Sequence, residues 1–153
     1  MLWVFDLDGV LVHTKAANYN AYVSAGVTPP PDHHQRPWQE WCTEEQHNSK
    51  QEHFAQELAW HGQLTKMVDV CFAVRGMILT NASKRSYDIV CSVFPVLYRI
   101  PATYNFKPDE KVSWVRTRSD RGVSGIYFDD NKRVARLVDE LPLWHGIHYE
   151  AET

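Results

Sequence analysis

The sequence predicts an α/β protein, a five-stranded parallel sheet with helices on both faces and a helical insert after the first strand. Three observations lead there. Short continuous apolar runs such as "LWVF" and "GMIL" recur, and continuous rather than alternating runs mark strands covered on both faces. Longer segments with helical spacing alternate with them, the pattern of βαβ units. The stretch between the first two strands, about residues 13–70, is too long for a simple crossover. The expected division is therefore a core of residues 1–12 and 71–153 with a helical cap insert over residues 13–70.

Each element follows from local chemistry. "LWVFDL" is the first strand. "KAANYNAYVSAG" places Ala17, Tyr19, Tyr22 and Val23 at helical spacing and stops at Gly26, a residue that ends helices at low steric cost. "VTPPPDHHQRP", Val27 to Pro37, holds three successive prolines, which deny helix and central strand alike. "PWQEWCTEEQHNSKQEHFAQELAWHG" reads as one or two helices closed by Gly62, and "QLTKMVDVCFAV" as helix leading towards a strand. "GMILTN" is the second strand. "SKRSYDIVCSVF" is a helix with Ser83 as its N-cap, since the serine hydroxyl accepts from an otherwise orphan helical N–H. "VLYRI" is expected as the third strand, "DEKVSWVRTR" as a helix, "GIYFDD" as the fourth strand, "NKRVARLVDEL" as a helix closed by Pro142, and "LWHGIHY" as the fifth strand.

Composition narrows the class. A chain of 153 residues matches one ordinary domain and can bury a substantial core. No apolar run approaches membrane-spanning length, so no membrane partner is expected. "MLWVFDLDG" carries neither the basic segment nor the cleavage region of a signal peptide. Cys42, Cys71 and Cys91 form an odd set without regular spacing, which points to reduced, mostly buried thiols and a cytoplasmic setting. The net charge of −3 is uneven: residues 1–74 carry 4 basic and 9 acidic residues, residues 75–153 carry 12 and 10. Neither half concentrates a basic patch, so nucleic acid is not the favoured partner.

The strand ends carry the chemistry. In "VFDLDGVL" two acids, Asp6 and Asp8, stand one residue apart where a buried strand stops, followed by Gly9. The second strand ends in Thr80 and Asn81, the fourth in Asp129 and Asp130. Ligands of open α/β sheets bind beyond the carboxyl ends of the strands, so Asp6, Asp8, Asp129 and Asp130 are expected to converge. Like charges raise one another's pKa. A hard divalent cation resolves the conflict, because Mg²⁺ takes oxygen ligands and keeps positions for water and a phosphate oxygen. Lys107, in "NFKPDEK", adds positive charge before the fourth strand. The local reading is a metal-assisted phosphoryl site: Asp6 the nucleophile, Thr80, Asn81 and Lys107 on the phosphoryl group.

In these ordered motifs, "FDLDGVL", "ILTN", Lys107 and "IYFDDN", the chain resembles the haloacid dehalogenase superfamily of Mg²⁺-dependent phosphohydrolases, over nearly its whole length. The resemblance implies a Rossmann-like core with sheet order 5-4-1-2-3. It implies that Asp6 forms an aspartyl-phosphate, that Asp8 protonates the leaving oxygen and then activates water, and that Thr80 binds phosphate. It further implies that Lys107 steadies Asp6 and that Asp129 and Asp130 hold Mg²⁺. Lys111 competes with Lys107 for the third motif, and Lys107 is preferred because "FKPD" breaks the chain just before a helix. Asp8 also speaks for phosphoryl rather than carbon–halogen chemistry, since a leaving halide needs no proton.

The insert is less informative. Its histidines, His33, His34, His47, His53 and His61, lack tight metal-ligand spacing and read as solvated or half-buried. Trp38, Trp41, Phe54 and Trp60 read first as packing. A small phosphomonoester, such as a nucleotide or sugar phosphate, is the leading substrate class. A polynucleotide 3′-phosphatase, a mutase and a catalytically silent phosphate-binding module are the alternatives.

Overall fold

The computed structural model describes residues 1–151. Its main sheet is built from β1 (Leu2–Phe5), β4 (Met77–Leu79), β5 (Ala102–Thr103), β6 (Gly125–Asp129) and β7 (Trp144–His148), in the order β5-β4-β1-β6-β7. Every pairing is parallel. Numbered among themselves, these five strands run 5-4-1-2-3 from the β7 edge, the expected order. The short strands β2 (Val12–His13) and β3 (Gln63–Leu64) form a separate antiparallel pair.

Alternation along the central strands splits the core into two layers. Phe5, Ile78 and Phe128 belong to one buried cluster, while their neighbours Val4, Leu79 and Tyr127 belong to the other. Helices α3 (Met67–Ala73) and α4 (Lys84–Val93) cover the first face through Met67, Val68, Cys71, Val90 and Cys91. Helices α5 (Pro108–Asp120) and α6 (Lys132–Asp139) cover the second through Val112, Val115, Val134 and Val138. Ser83 caps α4 by accepting from Ser86 N at 3.1 Å, as its place in the sequence predicts.

One strand lies elsewhere than expected. "VLYRI" is a 3₁₀ turn, Pro95–Arg99, and the third strand of the sheet is the dipeptide Ala102–Thr103. Pro95 fixes φ and removes a donor at the start of that segment. The chain re-extends only after Pro101, whose carbonyl accepts from Ile78 N at 2.8 Å.

Between β1 and β4 the chain forms α1 (Lys15–Ser24), two single 3₁₀ turns and α2 (Glu44–His61). Thr43 begins α2 with a capping box: its hydroxyl accepts from Gln46 N at 3.1 Å, and Gln46 Oε1 accepts from Thr43 N at 2.9 Å. The β2–β3 pair clasps the base of this segment and closes residues 14–62 into a loop, with Thr65 N donating to Leu11 O at 2.9 Å. Ala17 and Ala21 of α1 and Phe54 and Leu58 of α2 are continuous with the first core cluster. Helix α2 is tied to the start of α4, because Gln51 Nε2 donates to Ser86 Oγ at 2.7 Å and Arg85 Nη1 to Asn48 Oδ1 at 3.2 Å. These bonds set α2 beside the end of β4, where Thr80 lies.

Candidate active site

Asp6 follows directly on β1, and its N–H still pairs with Phe128 O at 2.9 Å. The chain then leaves the sheet in a tight turn: the N–H groups of Val10, Leu11 and Val12 all converge on Leu7 O. Gly9, at φ +79°, makes that turn possible, and a Cβ there would sit 2.3 Å from Asp130 Oδ2. The turn separates the directions of the two acids. Asp6 points into the sheet end and is buried. Asp8 points towards the insert, where it accepts from Thr14 Oγ1 at 2.7 Å.

Asp129 ends β6, adjacent to β1, and is fully buried. Its Oδ1 accepts from Asn131 N at 2.8 Å, and its Oδ2 accepts from Tyr127 Oη at 2.5 Å and Lys111 Nζ at 3.2 Å. Tyr127, two residues earlier on the same strand face, lies under it. Asn131 rather than an aspartate caps α6, accepting from Arg133 N and Val134 N. The acid pair is thereby left free of helix capping. Carboxylate oxygens of Asp6, Asp129 and Asp130 all lie within 4.8 Å of one another. Asp8 stands outside this group of three.

The lysine at the site is Lys111. Its Nζ lies 3.0 Å from Asp6 Oδ1, and its side chain is 5% exposed. Lys107, the residue preferred from the sequence, is exposed at the N-cap of α5, where its own N–H donates to Glu110 Oε1 at 3.1 Å. The reason is the helix face. Lys111, Val112, Val115 and Ser119 are the buried residues of α5, and Lys107 precedes its first turn. Thr80 is buried, with its hydroxyl accepting from Ala82 N at 3.1 Å. That bond uses a lone pair and leaves the hydroxyl proton for another acceptor. Asn81 is exposed beside it.

Electrostatics follow from this packing. Burial, then the Asp129 charge, push the Asp6 carboxyl well up from the usual range, and Lys111 pulls against them. Asp130 is pushed up to about 7 by burial and then by Asp129. Burial raises Asp8 too, opposed by the Thr14 hydrogen bond and by the charge of Lys50. Burial alone would lower Lys111, but Asp6 and Asp129 outweigh it and hold the ammonium charged. Tyr127 is raised by burial and by Asp129, so it stays a phenol and a donor.

Three residues that sequence reasoning passed over join the site: Tyr127, Thr14 and Lys50. Tyr127 carried a usable signal, since alternation puts it on the face of Asp129. Thr14 and Lys50 carried none in isolation. Lys50, on α2, is 3% exposed in a helix otherwise rich in charged and polar residues. Its Nζ lies 3.8 Å from the centre of the Phe54 ring and 5.1 Å from that of Tyr22. Burial pushes it down to about 7, with Asp8 pulling upward. Around it, Tyr22 Oη and His47 Nδ1 are 2.9 Å apart, and Trp38 stacks on His47 with ring centres 4.1 Å apart.

No family model matches the sequence, and no curated protein matches it. Solved structures do. CbbY from Rhodobacter sphaeroides in complex with phosphate aligns over 99% of this chain and 89% of its own, at 14% identity and a TM-score of 0.62. A CbbY mutant in complex with xylulose-(1,5)bisphosphate aligns over 82% of this chain and 84% of its own, at 13% identity and a TM-score of 0.52. A haloacid dehalogenase-like protein from Agrobacterium tumefaciens aligns over 84% and 73%, at 16% identity and a TM-score of 0.56. The chain therefore has the haloacid-dehalogenase type of fold.

Proposed function

We propose that this chain is a phosphohydrolase that cleaves a small phosphomonoester through a phosphorylated Asp6. The observation that carries the reading is the contrast between the two acids of the β1 turn. Asp6 sits against a buried, charged lysine and beside Asp129 and Asp130, while Asp8, two residues on, stands outside that group and is half-buried on a hydroxyl. That geometry suits a nucleophile, whose carboxylate form Lys111 favours against burial and Asp129, and a separate acid able to carry a proton. The complexes of the CbbY structures with phosphate and a sugar bisphosphate agree with a phosphoryl site in this fold.

An Asp6 carboxylate oxygen attacks phosphorus, the bond from phosphorus to the ester oxygen breaks, and Asp8 gives that oxygen its proton. The Asp8 carboxylate then takes a proton from water, whose oxygen attacks phosphorus. The bond to Asp6 breaks, inorganic phosphate leaves, and both acids return to their starting forms. Lys111 faces the charge carried by Asp6 and by the phosphoryl oxygens, and the free hydroxyl proton of Thr80 is available to one of those oxygens.

Asp6, Asp129 and Asp130 offer only oxygen donors, close together and with a single cation among them, a set that suits a hard divalent ion such as Mg²⁺. When bound, the ion would neutralise phosphoryl charge and oppose the burial and the Asp129 charge that lift Asp130. Residues 14–62 act as a cap, since α2 is tied to the start of α4, beside the strand end that carries Thr80.

The test is release of inorganic phosphate from p-nitrophenyl phosphate with Mg²⁺, with and without a chelator. Activity that requires the metal and disappears in a folded Asp6→Asn variant is the expected result. Full activity in Asp6→Asn protein, or after exhaustive chelation, would refute the reading.

A further inference from the structure

We infer that the chain at the end of β7, His148 to Ala151, is a positioning strap for the acids of the site. It ties the end of β6 to the turn after β1, and that tie sets how tightly Asp6, Asp129 and Asp130 hold a divalent cation. The inference rests on the reading of these acids as a metal-assisted phosphoryl site and adds to it residues that supply none of its carboxylates.

The acids sit on two turns that need such a tie. β1 and β6 pair in register as far as Phe5 and Phe128, and Asp6 N still donates to Phe128 O. Beyond that point, among the described residues, no hydrogen bond joins residues 7–12 directly to residues 129–131. Yet the two turns touch. The Asp130 carboxylate lies against Gly9 and leaves no room there for a side chain. Where Asp130 stands relative to Asp6 therefore depends on the Gly9 turn staying where it is.

The strap holds both turns through their main-chain carbonyls. Tyr149 N donates to Asp129 O at 2.9 Å, His148 Nε2 to Asp130 O at 3.2 Å, and Ala151 N to Gly9 O at 3.2 Å. The first bond only continues the β6–β7 ladder. The bond to Gly9 does more, because β7 is the edge strand beside β6, and β1 lies one strand further in. Two strand spacings are about 10 Å, and three extended residues reach about 10 Å. From His148 to Ala151 the chain thus spends nearly its whole reach crossing the end of β6. Tyr149 anchors the crossing by packing against the first core cluster. A taut segment has no slack to absorb a shift of either turn, and Mg²⁺ accepts little departure from octahedral geometry. Loosening the strap is therefore felt as lost metal affinity.

The test reads Mg²⁺ affinity of the full chain by calorimetry, without substrate. Ala151→Pro deletes the N–H that holds Gly9, and Ala151→Ser keeps it. His148→Leu deletes the donor to Asp130, and His148→Gln keeps a side-chain N–H. Ala151→Pro and His148→Leu are each expected to weaken Mg²⁺ binding about tenfold, as loss of a group that orients metal ligands does. Ala151→Ser and His148→Gln should keep most of the affinity. Amide hydrogen exchange without metal gives a second readout: Val10, Leu11 and Val12 should exchange faster in Ala151→Pro and not in Ala151→Ser. Wild-type affinity in both Ala151→Pro and His148→Leu overturns the inference. So does an equal loss in the variants that keep the donors, which would mark the segment as packing alone. If Ala151→Pro does not fold, wild-type affinity in His148→Leu overturns it equally. Failure of the phosphohydrolase reading shows separately, as wild-type protein whose Mg²⁺ affinity follows the strap but which releases no phosphate from p-nitrophenyl phosphate.

Discussion

Lys111 Nζ lies 3.0 Å from Asp6 Oδ1, joining residues 105 apart in the chain. The same nitrogen reaches Asp129, so one side chain from α5 ties the end of β1 to the end of β6. Replacing it leaves two buried carboxylates facing each other, a loss that costs about 3–5 kcal/mol where a buried pair is broken. Asp6 then holds a proton more readily, and a protonated acid is a poor nucleophile. Lys111→Met is expected to lower kcat by about 100-fold or more and to reduce Tm. Lys107→Ala, at an exposed position, should stay within about twofold of wild type. Steady-state kinetics on both variants decide the matter, and the reverse ranking would remove Lys111 from the site.

The outcome at α5 shows what the sequence could and could not convey. The acids were legible because apolar runs end abruptly in them, and strand ends of a parallel sheet share one edge. The lysine was harder, because spacing before the fourth strand does not say which helix face turns inward. Val112 and Val115 held that information, since Lys111 lies on their side of α5. The two-residue strand Ala102–Thr103 was too short to leave a periodic signal. Lys50 was invisible for another reason: a lysine in a polar helix reads as solvent-facing, and its burial depends on α1 packing across it.

Gly9 is expected to tolerate no side chain. Its φ of +79° is strained for other residues, and an added Cβ would meet Asp130 Oδ2 at 2.3 Å. The conformational part alone costs about 1–2 kcal/mol. Either the turn shifts, moving Asp8 away from Thr14, or Asp130 shifts, opening the group of three acids. Gly9→Ala should lose most activity and weaken Mg²⁺ binding measured by calorimetry. Wild-type metal affinity in this variant would show that the contact is relieved at no cost to the site.

Tyr127 donates to Asp129 at 2.5 Å from a position with no solvent exposure. Tyr127→Phe keeps the ring and its packing and deletes only the donor. Partners of this kind orient ligating carboxylates, and their loss typically lowers metal affinity by about 10–100-fold. The expected signature is a raised Mg²⁺ requirement with kcat largely restored at saturating metal. A variant whose Mg²⁺ dependence superimposes on wild type would leave Tyr127 a purely packing residue.

Lys50 sets a pH dependence of stability that can be read without substrate or metal. Its pKa falls from 10.5 to about 7 on folding, first through burial. A lysine lowered in this way adds its full stability only above 10.5, loses it as the pH falls towards 7, and below that is a constant cost. The groups acting on it are Asp8 beside the β1 turn, Cys42 and Arg85. His47, pushed down to about 4 mainly by burial, is neutral throughout the range. Asp8 works in the opposite direction, because removing Lys50 lets it rise further. Burial is the larger cause on both residues, so relief of the buried ammonium should win. Lys50→Met is therefore expected to raise Tm at pH 6 by roughly 5 °C, on the order of 2 kcal/mol for a chain of this size. The gain should shrink steadily as the pH is taken from 7 to 9.5. Thermal melts of the two proteins across that range test it. A gain that does not vary with pH, or a loss of stability at pH 6, would mean that the Lys50 ammonium is compensated in the folded chain after all.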